Sequence, residues 1–281
     1  MTAAGPAAAD TVTVVKAPSG WSSLGVRDLL AYRELLFFLV WRDVKVKYKQ
    51  TYIGVAWAVL QPFVTMVVFT LFFGRLAKIP SEGLPYPVFS FIGLLPWTYF
   101  AGALASASTS LVTNAHLVSK IYFPRLLLPA SACLAGLIDL LISMCFLAVI
   151  LLWYGVYPSG RVIWLVPFTL LALCTALGVS LWLSTINIRY RDVQYAVPFL
   201  IQIWLFLTPV VYPASMVPAS VRFLYGLNPM VAVVEGFRWA LADKPFPSIP
   251  MMVISIAMSL ALLVGGAYYF RRWEWEFADV V

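Results

Sequence analysis

The sequence predicts an all-α, polytopic membrane protein: an N-terminal interfacial helix, six transmembrane helices, and a re-entrant helical hairpin between the fifth and sixth. Three observations predict it. First, 62% of the residues are apolar and only 11% charged, where a soluble domain carries about 25% charged residues. That leaves too little polar surface to cover a soluble core of this size. Second, six stretches approach the roughly 20 apolar residues that a helix needs to cross hydrocarbon. Third, lysine and arginine are divided unevenly between alternate loops, as the positive-inside rule requires.

Taken in order, residues 1–27 are rich in Ala, Thr and Val, interrupted by Asp10, Lys16 and Pro18. They lack the basic start and apolar run of a cleavable signal and are expected to form a disordered tail. Residues 28–52 read as an amphipathic helix followed by a basic segment. Asp28 is placed to cap it, and Leu29, Tyr32, Leu36, Leu39 and Val40 share one face, blurred by Phe37 and Phe38. The cations Arg42, Lys45, Lys47 and Lys49 follow directly. An apolar stripe beside clustered cations is the pattern of a helix lying in the cytoplasmic interface.

The transmembrane domain is expected over 53–270, with spans at 53–73, 88–112, 126–154, 162–188, 193–212 and 249–270, and a cytoplasmic tail at 271–281. Gln61-Pro62 lies inside the first span, and Pro96-Trp97 is expected to break the second early. Thr208-Pro209 and Tyr212-Pro213 end the fifth. The stretch 213–250 carries Pro218, Pro229, Pro245 and Pro247 with Arg222, Glu235, Arg238, Asp243 and Lys244, too charged and broken to cross. Two short helices, 219–227 and 229–241, dipping into the outer interface fit it better. Small residues dominate 101–110; close helix packing is the favoured reading and a hydrated path the alternative. Six spans place both termini on one side. That side receives 13 of the 19 lysines and arginines, so it is cytoplasmic.

Much chemistry is excluded. There is no GxxxxGK[ST] phosphate loop, nor any Gly-Lys pair. A single histidine, His116, rules out HExxH and histidine triads and reads as a solvated loop residue. No metal-ligand cluster is apparent. Cys133, Cys145 and Cys174 sit in apolar runs and read as small hydrophobes. Asp139, the one acidic residue well inside a span, reads as a helix-contact or interface residue rather than a proton relay. The net charge of +7 reflects orientation rather than nucleic-acid binding. A membrane enzyme would need a catalytic cluster, and a secondary transporter would show inverted repeats and paired intramembrane charges; neither pattern is visible.

Six blocks then carry a resemblance: YRELLFFLVWRDVKVKYKQTYIGVAWAVLQP (32–62), FIGLLPWTYF (91–100), NAHLVSKIYFPRLLLP (114–129), RYRDV (189–193), LTPVVYP (207–213) and LNPMVAVVEGFRWAL (227–241). In this order and spacing the chain resembles ABC-2 type polysaccharide exporter permeases, the O-antigen, teichoic-acid and galactan export family. The resemblance implies a half-transporter of the bacterial inner membrane. It implies pairing with a second copy as a homodimer and docking of two copies of an ABC ATPase subunit. ATP and Mg²⁺ would be bound on that ATPase, leaving this chain without cofactor, metal or catalytic residue. The cargo implied is an undecaprenyl-diphosphate-linked glycan; an ABC-2 permease exporting a drug or lipid is the alternative.

The resemblance also implies roles. Asn114, Lys120, Tyr122, Phe123, Pro124 and Arg125 would form a coupling element against the ATPase, with Arg189, Arg191 and Asp192 as a second contact and the interfacial helix as a third; an ordinary positively charged loop is the competing reading. Trp57, Gln61 and Phe63, with Phe199, Gln202 and Phe206, are candidate channel-lining residues, because aromatic faces suit sugar C–H surfaces and amides suit hydroxyls. Plain aromatic packing competes with that reading. Asn228, Pro229, Glu235 and Arg238 would form an outer gate, Glu235 and Arg238 being spaced to meet on one helix face. Arg42, Lys45, Lys47 and Lys49 would attract the carrier diphosphate or anionic membrane lipids in general.

Overall fold

Apolar runs of this length leave the backbone little choice but helix, since hydrocarbon offers no partner for an unpaired N–H or C=O. The computed structural model describes residues 31–49, 54–218, 220–244 and 246–277, all helical or connecting. The helices are α1 (Arg33–Lys49), α2 (Ala56–Phe69, widening into a π-helix at Thr70–Leu76), α3 (Tyr86–Thr113), α4 (Ala115–Lys120), α5 (Leu127–Trp153), α6 (Leu165–Arg189), α7 (Val193–Phe206), α8 (Arg222–Tyr225), α9 (Pro229–Ala242) and α10 (Ile249–Trp273). Five of them, with their 3₁₀ or π extensions, are long and apolar enough to cross a membrane, at 21 to 30 residues. The chain is a polytopic membrane protein. The fifth expected span differs: α7 stops after 14 residues, about 21 Å at 1.5 Å per residue. The expected tail 1–27, the Asp28 cap and the start of the first span at Ile53 lie outside the described residues.

α3 is the hub. In its most apolar stretch 78% of the residues are buried, against 11–28% for the other four long helices. It packs on α2, α5, α6, α7 and α9. The expected break at Pro96 does not occur, and the helix runs unbroken from Tyr86 to Thr113. Surrounding helices support the turn, and the Thr98 hydroxyl supplies an extra donor to the carbonyls of Leu94 and Leu95. The small-residue run is divided between close packing and a cavity wall. Ala103, Ala107 and Ser108 are buried against neighbours, while Ala101, Gly102, Ala105, Ser106 and Thr109 line a cavity.

α6 and α10 cross closely where Gly178 meets Leu262, Leu263 and Gly266. A Cβ on Gly178 would lie 2.6 Å from the Leu263 amide nitrogen. On α1, Leu39 is buried with Leu35 and Leu36 packed beside it, while Phe37, Phe38, Trp41 and Tyr32 are exposed. Phe37 and Phe38 therefore belong to a separate outer face that also carries Lys45 and Lys49. Residues 271–277 are not a free tail. α10 continues through Arg271 and Arg272, and Glu274–Glu276 form a 3₁₀ turn. The following Phe277 is 2% exposed.

Candidate functional site

A cavity of about 1060 Å³ opens between α1, α2, α3, α5 and α7. Its wall mixes aromatic and amide groups (Trp57, Tyr99, Gln61, Asn114) with hydroxyls and small residues of α3. One rim is charged. Asp139 of α5 receives both the Lys47 ammonium and the Tyr48 hydroxyl of α1. Burial, then the hydrogen bond and charge of Asp139, push the Tyr48 phenol above its ordinary range, so it remains a donor. Beside it the Ser131 hydroxyl donates to Asp43 at 2.9 Å, and Arg42 pairs with Asp43 at 2.8 Å. Two carboxylates thus strap α1 onto α5.

The candidate channel residues divide. Trp57 and Gln61 line the cavity, together with Arg42 and Lys47. Phe63 instead meets Phe146 edge-on at 5.8 Å. Phe199, Gln202 and Phe206 lie with Tyr195 on the exposed face of α7, while Pro198 and Ile201 are the α7 residues at the cavity wall.

At the other end of α7 the backbone is irregular over 207–213, yet Thr208, Val210 and Val211 are buried. Its polar groups need partners inside the protein. The Asn228 amide donates to the Leu207 carbonyl at 3.0 Å and the Thr208 hydroxyl at 2.9 Å. Its oxygen accepts from the Trp204 indole at 2.9 Å and from the Met230 amide, capping α9, with Pro229 in the first turn. Arg238 donates to the Val210 carbonyl and to Glu235, both at 2.8 Å, with its guanidinium 3.7 Å over the Phe89 ring. Gly93 leaves room for it: a Cβ there would lie 2.9 Å from the guanidinium. The Tyr86 hydroxyl serves the Val211 carbonyl at 2.8 Å. α9 is packed inside the protein rather than lying on its surface. Twelve of its residues are buried, between α3, α6 and α10. Its partner α8 spans only Arg222–Tyr225 and is closed at Gly226, whose backbone N–H bonds back to the Arg222 and Phe223 carbonyls; Ala219 lies outside the described residues.

At the opposite face, two short loops carry the expected coupling residues. Asn114 joins α3 to α4, its side-chain amide donating to the Ser110 carbonyl at 2.8 Å. Lys120 and Tyr122 are exposed, Tyr122 at 80%. Phe123 turns inward and is 8% exposed, Pro124 is half-buried, and the Arg125 amide donates to Glu274 at 2.9 Å. In the second loop Arg189 pairs with Glu276 at 2.6 Å and lies 4.0 Å over the Trp273 ring, while Arg191 and Asp192 are exposed. Phe123, Arg125 and Arg189 are thus held by contacts within the chain, Arg189 remaining 45% exposed, while Lys120, Tyr122, Arg191 and Asp192 are exposed.

With this geometry in place, comparison with known proteins is decisive. Residues 34–242 match the family model described as ABC-2 type transporter. The chain belongs to the ABC-2 type transporter family. It is a membrane permease subunit of that family, not an enzyme. The O-antigen export system permease protein RfbA of Myxococcus xanthus is 30% identical over 91% of this chain and 98% of its own length. RfbA of Klebsiella pneumoniae is 26% identical over 88% and 95%. The polysialic acid transport protein KpsM of Escherichia coli is 23% identical over 83% and 91%.

Sequence reasoning missed the partners of Asp139, which lie 91 and 92 residues away. The signal was present: a carboxylate inside a span demands a partner, and Lys47 belongs to the cation run of α1. It also missed Glu274 and Glu276, which sit beyond the last apolar run and look like a solvated tail.

Proposed function

We propose that this ABC-2 permease is the membrane half of an ATP-driven exporter carrying a lipid-linked polysaccharide, an O-antigen or similar surface glycan, out of the cytoplasm. The observation that carries the cargo class is the cavity. At about 1060 Å³ it exceeds most small-molecule pockets, which run roughly 300–1,000 Å³. It is lined by aromatic rings, amides and hydroxyls, a surface that holds sugars weakly at many points. The names of the relatives agree with that cargo. Arg42 and Lys47 at its charged rim would draw the diphosphate of an undecaprenyl carrier, and Lys45, Lys49 and the aromatic face of α1 would rest on anionic lipid.

The sixth crossing in this reading is α7 together with the buried 207–213 segment, which continues the chain beyond the 14-residue helix in turns and bends. Six crossings place both termini in the cytoplasm with most of the cations. Two copies form the path, with Trp57 and Gln61 facing it and the exposed α7 face, bearing Phe199, Gln202 and Phe206, lining it or meeting the second copy. Two ATPase subunits, which carry the ATP and Mg²⁺, press on Lys120, Tyr122, Arg191 and Asp192. ATP binding favours the state in which the two halves part. The braced unit of 207–213 and α9, held by Asn228, Glu235 and Arg238, closes the outer end.

Purification of a tagged chain from native membranes in mild detergent tests this reading. An ABC ATPase is expected to co-elute at equal stoichiometry, and the complex is expected to hydrolyse ATP. A chain that elutes without any ATPase across several mild detergents overturns it.

A further inference from the structure

We infer that the C-terminal turn 274–277 is a positioning clasp that joins both loops and α1 into one rigid plate, so that a push on either loop is delivered to both. The inference rests on the coupling reading above. Three of these four residues reach three separate elements. Glu274 takes the Arg125 backbone amide of the first loop at 2.9 Å on its carboxylate, and the Arg125 guanidinium on its backbone carbonyl. Its other carboxylate oxygen lies 3.5 Å from Arg271. Glu276 holds Arg189 of the second loop at 2.6 Å, and Trp273 supplies the ring under that guanidinium. Phe277 meets Phe270 edge-on at 5.1 Å, in one buried cluster with Leu39 of α1, Val118 of α4 and Phe123.

Both carboxylates are mostly shielded, at 18% and 23% exposed, which strengthens such pairs relative to open-surface ones. Separating the loops would break both contacts and expose Phe277. The turn lies beyond residue 242, where the family match ends, so nothing in that match assigns it a role. Glu274 and Glu276 act through the loops, without touching cargo or nucleotide, and are positioning residues.

The test uses the full permease–ATPase complex. Glu276→Arg is expected to lower export about fivefold or more while the ATPase stays bound and hydrolysing, the size of a typical inter-site coupling. Adding Arg189→Glu to Glu276→Arg restores the pair with its charges exchanged, and export should return to within about twofold of the parent. In a background with Cys133, Cys145 and Cys174 replaced by Ala, spin labels at Tyr122→Cys and Tyr190→Cys report the distance between the loops. It should be narrow and equal with and without ATP, and should broaden in Glu274→Ala/Glu276→Ala. Normal export by Glu276→Arg, failure of the exchanged pair to restore export, or a parental distance that shifts with ATP overturns the clasp. Tyr122→Ala separates the two ideas. If it abolishes export while the clasp variants behave as the parent, the clasp falls and coupling stands; if it too exports normally, the coupling reading falls with it.

Discussion

Arg238→Met tests the bracing of the broken segment most directly. The side chain is 1% exposed and its partner Glu235 is 13% exposed. Methionine approximates its length and volume, so the loss is electrostatic rather than steric. Removing the cation strands a buried carboxylate, which costs about 3–5 kcal/mol. It also leaves the Val210 carbonyl without its donor at 2.8 Å, worth about 1–3 kcal/mol for a buried acceptor. The two losses overlap, because one guanidinium serves both, and about 4–6 kcal/mol is expected. At about 2–4 °C per kcal/mol for a chain of this size, the melting midpoint should fall by about 8–24 °C. Glu235→Leu alone strands the arginine and should cost about as much. The double variant Glu235→Leu/Arg238→Met leaves no buried charge. Only the Val210 carbonyl and the Ala214 amide, 3.4 Å from Glu235, lose partners, so its cost should be about 2 kcal/mol. The assay is a melt of a fluorescent fusion in one detergent, read by size-exclusion chromatography. A double variant as damaged as the two singles combined, or an Arg238→Met protein melting with the parent, would refute the bracing argument.

Two further outcomes follow from the glycines. Gly178→Ala places a methyl 2.6 Å from the Leu263 amide nitrogen and 2.8 Å from the Leu262 carbonyl carbon. Backbone cannot swing aside as a side chain does, so α6 and α10 must separate, at a cost of about 1–3 kcal/mol read in the same melt; a midpoint equal to the parent would show the crossing to be slack. Gly102→Trp should do the opposite. A Cβ at Gly102 meets nothing within 4 Å, and leaving glycine in a helix interior recovers up to about 1 kcal/mol. The protein should therefore melt as the parent does, while the indole projects into the cavity and export of polymer stops. Export at the parental rate from a fully folded Gly102→Trp protein would show that cargo bypasses the cavity.

What the residues determined on their own was local. Long apolar runs specify membrane helices because hydrocarbon leaves no other way to pair the backbone. Glu235 and Arg238 meet because three residues of helix bring them to one face, and they pair at 2.8 Å. Asn228-Pro229 announces a helix start by its own chemistry, and the Asn228 side chain caps α9. The rest depended on residues far apart in the chain. Whether Pro96 breaks α3 was decided by the helices packed around it. Which side of the small-residue run packs and which lines the cavity was decided by where the neighbouring helices lie. The partner of Asp139 came from α1, 92 residues away. The reason α7 stops short while 207–213 stays buried is that Asn228, Arg238 and Tyr86 converge on its carbonyls from two other helices. Two loops that read as separate contacts were joined by Glu274 and Glu276. The physical divide is one of range. Backbone pairing and helix periodicity act within a few residues and are written in sequence, whereas burial, ion pairing and close packing depend on which distant surfaces the folded chain brings together.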